Sequence, residues 1–171
     1  NGLEARQGIL LLGALAFATW LTGNGWLTVI LLCMTASLCG FLLFNHYPAR
    51  VFPGDVMTYA VGALIAAAAI LGNIEKFALF IFMPYIIEVA LKLRGNLKKE
   101  SFSSPQRDGS LELSYAKIYG LELLAVSIFK KYKKKASEND VVLFINTIQL
   151  QIIIIGFIIF REGFLSYNAQ G

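Results

Sequence analysis

Apolar runs recur along this chain, at 8–22, 26–44, 56–74, 77–91 and 141–160, most of them parted by short polar breaks. About 20 apolar residues suffice to cross the hydrocarbon core of a bilayer. In that solvent every backbone N–H and C=O must find a partner inside the protein, and a run of this kind achieves that as a helix. Composition agrees: 57% of the 171 residues are hydrophobic and 15% are charged, against about 25% charged in soluble domains. The expected fold class is all-α, a polytopic integral membrane protein with five transmembrane helices. The first run is short, and Glu88 interrupts the fourth.

The chain opens NGLEARQ, with neither an initiator Met nor a basic stretch ahead of a short apolar one. It does not read as a removable signal. The abrupt start reads as a segment of something longer.

Five helices place alternate connections on the same side of a membrane. One side then holds the opening, the loop 45–55 and the long segment 92–140. Of the 15 Lys and Arg, all but Lys76 and Arg161 fall on that side. An excess of basic residues marks cytoplasmic loops, so the side carrying these segments is expected to be cytoplasmic. The formal net charge of +4 is then a membrane-surface asymmetry, and it does not call for nucleic acid.

The connections TGNG and GNIEK are short and predict antiparallel helix pairs. The third run, rich in Gly and Ala, suits close approach by neighbouring helices. Pro84 predicts a kink in the fourth run, with the freed carbonyl satisfied by a neighbour. Glu88, one turn on, is expected near the interface or facing a polar cavity. Asn146, Gln149 and Gln151 in the last run are expected to hydrogen-bond between helices. Cys33 and Cys39 are six residues apart and on different helix faces; they read as packing residues. Within 92–140, Ile118, Leu121, Ala125, Ile128, Phe129 and Tyr132 keep helical spacing ahead of KKYKKK. That pattern fits a basic amphipathic helix on the headgroups, or an ordinary solvated charge run.

The polar loop FNHYPARVFPGD, residues 44–55, stands between two of these runs. Asp55 directly precedes an apolar helix and suits an N-cap. It equally suits a Mg²⁺ ligand, since that ion takes one or two carboxylates together with substrate phosphates. Gly54 allows a tight turn, and the helix N-terminus behind it favours phosphate. His46, the single histidine, reads more naturally as a structural hydrogen-bonding residue than as a catalyst. Arg50 suits phosphate binding or headgroup anchoring, and Phe52 suits an interfacial anchor or a platform for a base.

NGLEARQG and FNHYPARVFPGD together resemble the paired signatures of the polyprenyl-phosphate N-acetylhexosamine-1-phosphate transferases. Within that family NGLEA is similar to the archaeal and eukaryotic UDP-GlcNAc:dolichyl-phosphate branch, as are IFMPYIIEVALKL and DGSLELSYAKI. The resemblance implies a roughly ten-helix enzyme of which this chain is the C-terminal half, partnered by the N-terminal half, and it admits a homodimer. It implies transfer of GlcNAc-1-phosphate from UDP-GlcNAc to a polyprenyl or dolichyl phosphate with release of UMP, the first step of lipid-linked oligosaccharide assembly. Asp55 matches the catalytic, metal-binding aspartate for Mg²⁺, or Mn²⁺ in its place. Asn1 matches the asparagine that reads the uracil edge, Phe52 the aromatic on the uracil ring, and Asn45 a polar residue lining the site. The expected setting is the cytoplasmic face of the plasma membrane in an archaeon, or of the endoplasmic reticulum in a eukaryote.

Two positions depart from the family pattern. Met57 stands where a small residue is usual. ESFSSPQRDG replaces an RHR-type basic motif, for which Lys98, Lys99 or Arg107 is a substitute. The family's aspartate-rich motif lies in its N-terminal half, so this polypeptide alone is expected to be inactive. The rival readings are a transferase for UDP-MurNAc-pentapeptide or another UDP-sugar, and a non-catalytic membrane subunit or transporter fragment.

Overall fold

A computed structural model of the chain describes residues 2–94, 104–105, 111–112, 120–132 and 137–168. Seven helices are formed among them: α1 (Leu3–Leu21), α2 (Gly25–Asn45), α3 (Asp55–Leu71), α4 (Glu75–Ile81), α5 (Met83–Arg94), α6 (Leu121–Tyr132) and α7 (Glu138–Asn168). One antiparallel pair of two-residue strands, β1 (Ser104–Pro105) and β2 (Leu111–Glu112), is a small addition to the expected all-α class. Two helical segments, Gly25–Asn45 and Glu138–Phe164, are long and apolar enough to cross a membrane, and α3 is apolar with 17 residues. The backbone divides into two compact units, residues 1–82 with 149–171, and residues 83–148.

In the first unit α1 and α2 form the antiparallel pair that the short TGNG break predicts. Near the turn, the buried hydroxyls of Thr19 and Thr28 lie 2.9 Å apart. Midway, Gly8 faces Leu38 so closely that a Cβ there would come within 2.8 Å of a leucine methyl. Leu11, Leu12, Leu15 and Leu31 are sealed in the core. Burying each such side chain is worth about 1.5–3 kcal/mol relative to leaving it in water.

α3 runs parallel to α1 and in constant register with it. Gly8 lies against Val61, and Thr19 against Gly72; both pairs are 53 residues apart. Carried to the helix ends, that offset sets Asp55 at the level of Gly2. The outward side of α2 remains apolar, with Trp26, Val29, Ile30 and Leu32 exposed. Cys33 and Cys39 are exposed as well, so neither packs in this unit. Their spacing fixes their faces, and the buried stripe of α2 runs through Leu27, Thr28, Leu31 and Leu38 instead.

The fourth apolar run is not one helix. α4 ends at Ile81, Phe82 closes it, and α5 begins at Met83. Pro84 thus falls in a first turn, where its missing N–H leaves no bond unmade. The Ile81 carbonyl, left open where α4 ends, accepts a hydrogen bond from Gln149 Nε2 at 2.9 Å. Gln149 Oε1 is buried without a partner among the described residues. Around this contact α7 runs antiparallel to α4. Phe77 meets Phe157, Phe160 and Phe164 at ring separations of 4.7–6.1 Å, within the range of favourable aromatic pairs. Phe157 also meets Phe17 of α1.

In the second unit α6 turns its buried face, Ala125 and Val126, onto Val141 of α7, with Phe129, Phe144 and Ile145 alongside. The stripe expected from spacing shifts accordingly. Leu123 is fully buried while Leu121 and Ile128 are half-buried, and Ile118 lies outside the described residues. Apolar surface of α6 is therefore spent on protein packing. Ser137 and Asp140 cap α7 reciprocally: the Ser137 N–H donates to Asp140 Oδ2 at 3.2 Å, and the Asp140 N–H to Ser137 Oγ at 3.3 Å. This capping box starts α7 before the apolar run itself.

Glu88 receives the Leu121 N–H on Oε2 at 2.6 Å, and its Oε1 lies 3.3 Å from Lys92 Nζ. A carboxylate at the first N–H groups of a helix satisfies an orphan donor and opposes the positive end of the dipole. Glu88 is thus accounted for within the protein. Removing it by Glu88→Ala is expected to cost about 1 kcal/mol and to speed amide hydrogen exchange in the first turn of α6. Unchanged exchange there would mean the contact does not hold the helix.

Candidate active site

The two polar motifs meet at one end of the first three helices. Gly2 initiates α1 with φ +75° and is buried; a Cβ there would lie 3.4 Å from Leu42 and 3.5 Å from the Asn45 carbonyl. Left-handed backbone in so close a contact is glycine's place. One turn on, Arg6 Nη2 donates to His46 Nδ1 at 2.8 Å. NGLEARQ and FNHYPARVFPGD are thereby joined by contact as well as by being on one side.

The loop after α2 doubles back on the helix end. The N–H groups of Arg50 and Val51 both donate to the Phe44 carbonyl, at 2.8 and 3.3 Å. The Asn45 side chain completes the clamp, with Nδ2 donating to the Val51 carbonyl at 2.8 Å. Asn45 is fully buried, and its Oδ1 has no partner among the described residues. The Tyr47–Pro48 peptide within the loop is cis. From this braced turn Phe52 projects with 70% of its surface exposed.

Asp55 is exposed, and it is the first residue of α3. Gly54 occupies the N-cap with extended backbone and provides no side-chain cap bond. The N-cap reading of Asp55 is therefore displaced by one position: its carboxylate stands beside the first-turn N–H groups of α3, where the helix dipole favours anions. Met57, in the same turn, is half-buried, and its backbone N–H bonds to Gly54. Among the described residues no three His, Cys, Asp or Glu side chains cluster as a metal cage. One exposed carboxylate at a helix N-terminus does fit a hard divalent ion that takes its other ligands from phosphate and water.

Of the residues singled out from sequence, Asn45, Phe52 and Asp55 are brought to this end. Asn1, Arg107, Lys98 and Lys99 lie outside the described residues. Sequence alone does not place Arg6 in the site. No helical or turn spacing links residues forty apart, so only the tertiary contact reveals it.

Residues 1–73 match the family model for glycosyl transferase family 4. The likeness to that family is carried by this segment, 73 of the 171 residues. The matched stretch contains α1, the clamped loop and α3, the elements that build this end. Among curated relatives, a Saccharolobus solfataricus protein named for UDP-N-acetylglucosamine–dolichyl-phosphate N-acetylglucosaminephosphotransferase activity is 43% identical over 114 residues, 65% of this chain and 35% of its own. A Sulfolobus acidocaldarius protein of the same name is 34% identical over 113 residues, again 65% of this chain and 34% of its own. The phospho-N-acetylmuramoyl-pentapeptide-transferase of Shouchella clausii is 38% identical over 88 residues, 52% of this chain and 27% of its own. The chain spans about a third of the length of these two archaeal relatives.

Proposed function

We propose that this chain forms part of the site of a membrane transferase that moves GlcNAc-1-phosphate from UDP-GlcNAc to a polyprenyl or dolichyl phosphate and releases UMP. The observation that supports it most is the register of α3 on α1, which brings Asp55 level with Gly2 beside the Asn45 clamp. Asp55 is the proposed ligand for Mg²⁺, or Mn²⁺ in its place. Bound there, the ion supplies charge neutralisation on the diphosphate and orients it. A lipid-phosphate oxygen forms a bond to the sugar-linked phosphorus while the bond from that phosphorus to the bridging oxygen breaks, and the electron pair leaves with UMP.

The roles of the chain's own residues follow. Phe52 offers an exposed ring for the uracil, and Asn1 its edge reader. Arg107 is proposed to meet the diphosphate. Asn45, buried, serves the substrate by holding the loop that presents Phe52. A prenyl phosphate stays in the bilayer and a UDP-sugar stays in water, so such a reaction belongs at the interface. The basic asymmetry of the loops favours the cytoplasmic face.

A second reading is supported by the 38% identity to the Shouchella clausii protein, and takes UDP-MurNAc-pentapeptide as donor. The two separate on one assay: UMP release by the full-length protein in detergent, with polyprenyl phosphate and either UDP-sugar. UDP-GlcNAc is expected to be used at least about tenfold better, a preference of roughly 1.4 kcal/mol at the transition state. UMP released only from the pentapeptide donor would overturn the reading, and no UMP from any UDP-sugar would favour a non-catalytic subunit.

A further inference from the structure

The Arg6–His46 contact carries more than a tie between α1 and the loop. A guanidinium offers donors and no acceptor. A bond of 2.8 Å from Arg6 Nη2 to His46 Nδ1 therefore requires Nδ1 to be the acceptor. The imidazole is then neutral, with its proton on Nε2. His46 is exposed, so its ring edge is open to a ligand. It directly follows Asn45, whose side chain anchors the loop leading to Phe52 and Asp55.

We propose that Arg6 is a positioning residue that holds His46 as the Nε2–H tautomer, and that this Nε2–H donates to an anionic oxygen of a nucleoside diphosphate at this end of the helices. The ligand class rests on the reading under Proposed function; the tautomer does not. A diphosphate presents only acceptors, and a ring held this way turns only a donor toward it. The guanidinium behind the ring adds positive charge without being consumed in the contact. In the absence of Arg6, the ring is free to rotate or to move its proton to Nδ1, and the donor is lost from that place.

His46 is the sole histidine of this sequence, and in a ¹⁵N-histidine spectrum of the full-length protein its resonances are identified as those lost in His46→Gln. At alkaline pH, where any imidazole is neutral, the Nε2–H pattern is expected, and added UDP is expected to shift the Nε2 resonance. Arg6→Ala is expected to broaden or move the pattern and to abolish that shift. In the UMP assay, Arg6→Ala and His46→Phe are expected to raise KM for UDP-GlcNAc about tenfold with kcat within about twofold, as for one charge-assisted hydrogen bond. His46→Gln, which keeps an outward N–H donor, is expected to recover most of the KM. A purely structural tie would lower folded yield without separating Gln from Phe.

An Nδ1–H pattern in the wild type overturns the proposal, and so does a His46 resonance indifferent to UDP. Should the wild type release no UMP from any UDP-sugar, the transferase reading falls. The tautomer and the UDP shift then decide the His46 proposal on their own.

Discussion

Asp55→Ala is expected to reduce UMP release by the full-length protein about a thousandfold, because a bound divalent ion contributes several kcal/mol of charge stabilisation to the transition state. The loss is expected in kcat, with folding almost untouched. Asp55 is exposed at the first position of α3, and a charge at that place is worth no more than about 1 kcal/mol to the helix. Asp55→Asn is expected to fall nearly as far, since it keeps an oxygen but not the charge. Raising Mg²⁺ should recover part of the Asn variant's rate and none of the Ala variant's. Either variant at near wild-type rate, with Mg²⁺ still required, would move the metal site away from α3.

Gly156→Leu is expected to lower the thermal midpoint in detergent by about 5 °C or more, the effect of an overpacking cost of roughly 1–3 kcal/mol. Already a Cβ at Gly156 would lie 3.1 Å from Phe77, 3.1 Å from Phe80 and 3.4 Å from Ile81. Those rings cannot simply retreat, because Phe77 is held by Phe157, Phe160 and Phe164 and is buried. The absence of a side chain at this point lets α7 approach α4 closely enough for Gln149 to reach the Ile81 carbonyl, the way small residues work between membrane helices. Gly163→Ala provides the contrast. Among the described residues nothing lies within 4 Å of a Cβ there, and gaining alanine's helix propensity should leave the midpoint unchanged or slightly raised. If Gly156→Leu melts with the wild type, α7 is not seated on α4 through this glycine.

Both outcomes show how unevenly the chain discloses itself. The apolar runs disclose α2 and α3 to within a few residues, because a helix in lipid satisfies its own backbone whatever lies beside it. The end of α4 is less plain. Pro84 signals a break in the fourth run, but the break falls at Phe82, two residues earlier, since Pro is comfortable in the first turn of a new helix. The start of α7 was legible too: Ser137 and Asp140 have capping-box spacing, a polar signal overshadowed by the apolar run that begins at Val141.

Other features depended on partners that no local rule names. By sequence Glu88 suits an interfacial or a cavity position, and its answer is the N–H of Leu121, thirty-three residues away. Cys33 and Cys39 look equally apt for a core or an outer face, and which way α2 turns is settled by Leu38 meeting Gly8. Asn45 reads as a site-lining residue, yet burial makes it the clamp of its own loop.

The sequence by itself determined the helical class, the family signatures and the residue types fit for phosphate and metal chemistry, because all of these depend on solvent and on local covalent structure. Tertiary structure alone decided that Asp55 stands level with Gly2, that Arg6 meets His46, and that Gly156 admits Phe77. Those facts are set by the register between helices. Close-packed side chains permit only certain offsets, and a chain's local preferences are the same at every one of them.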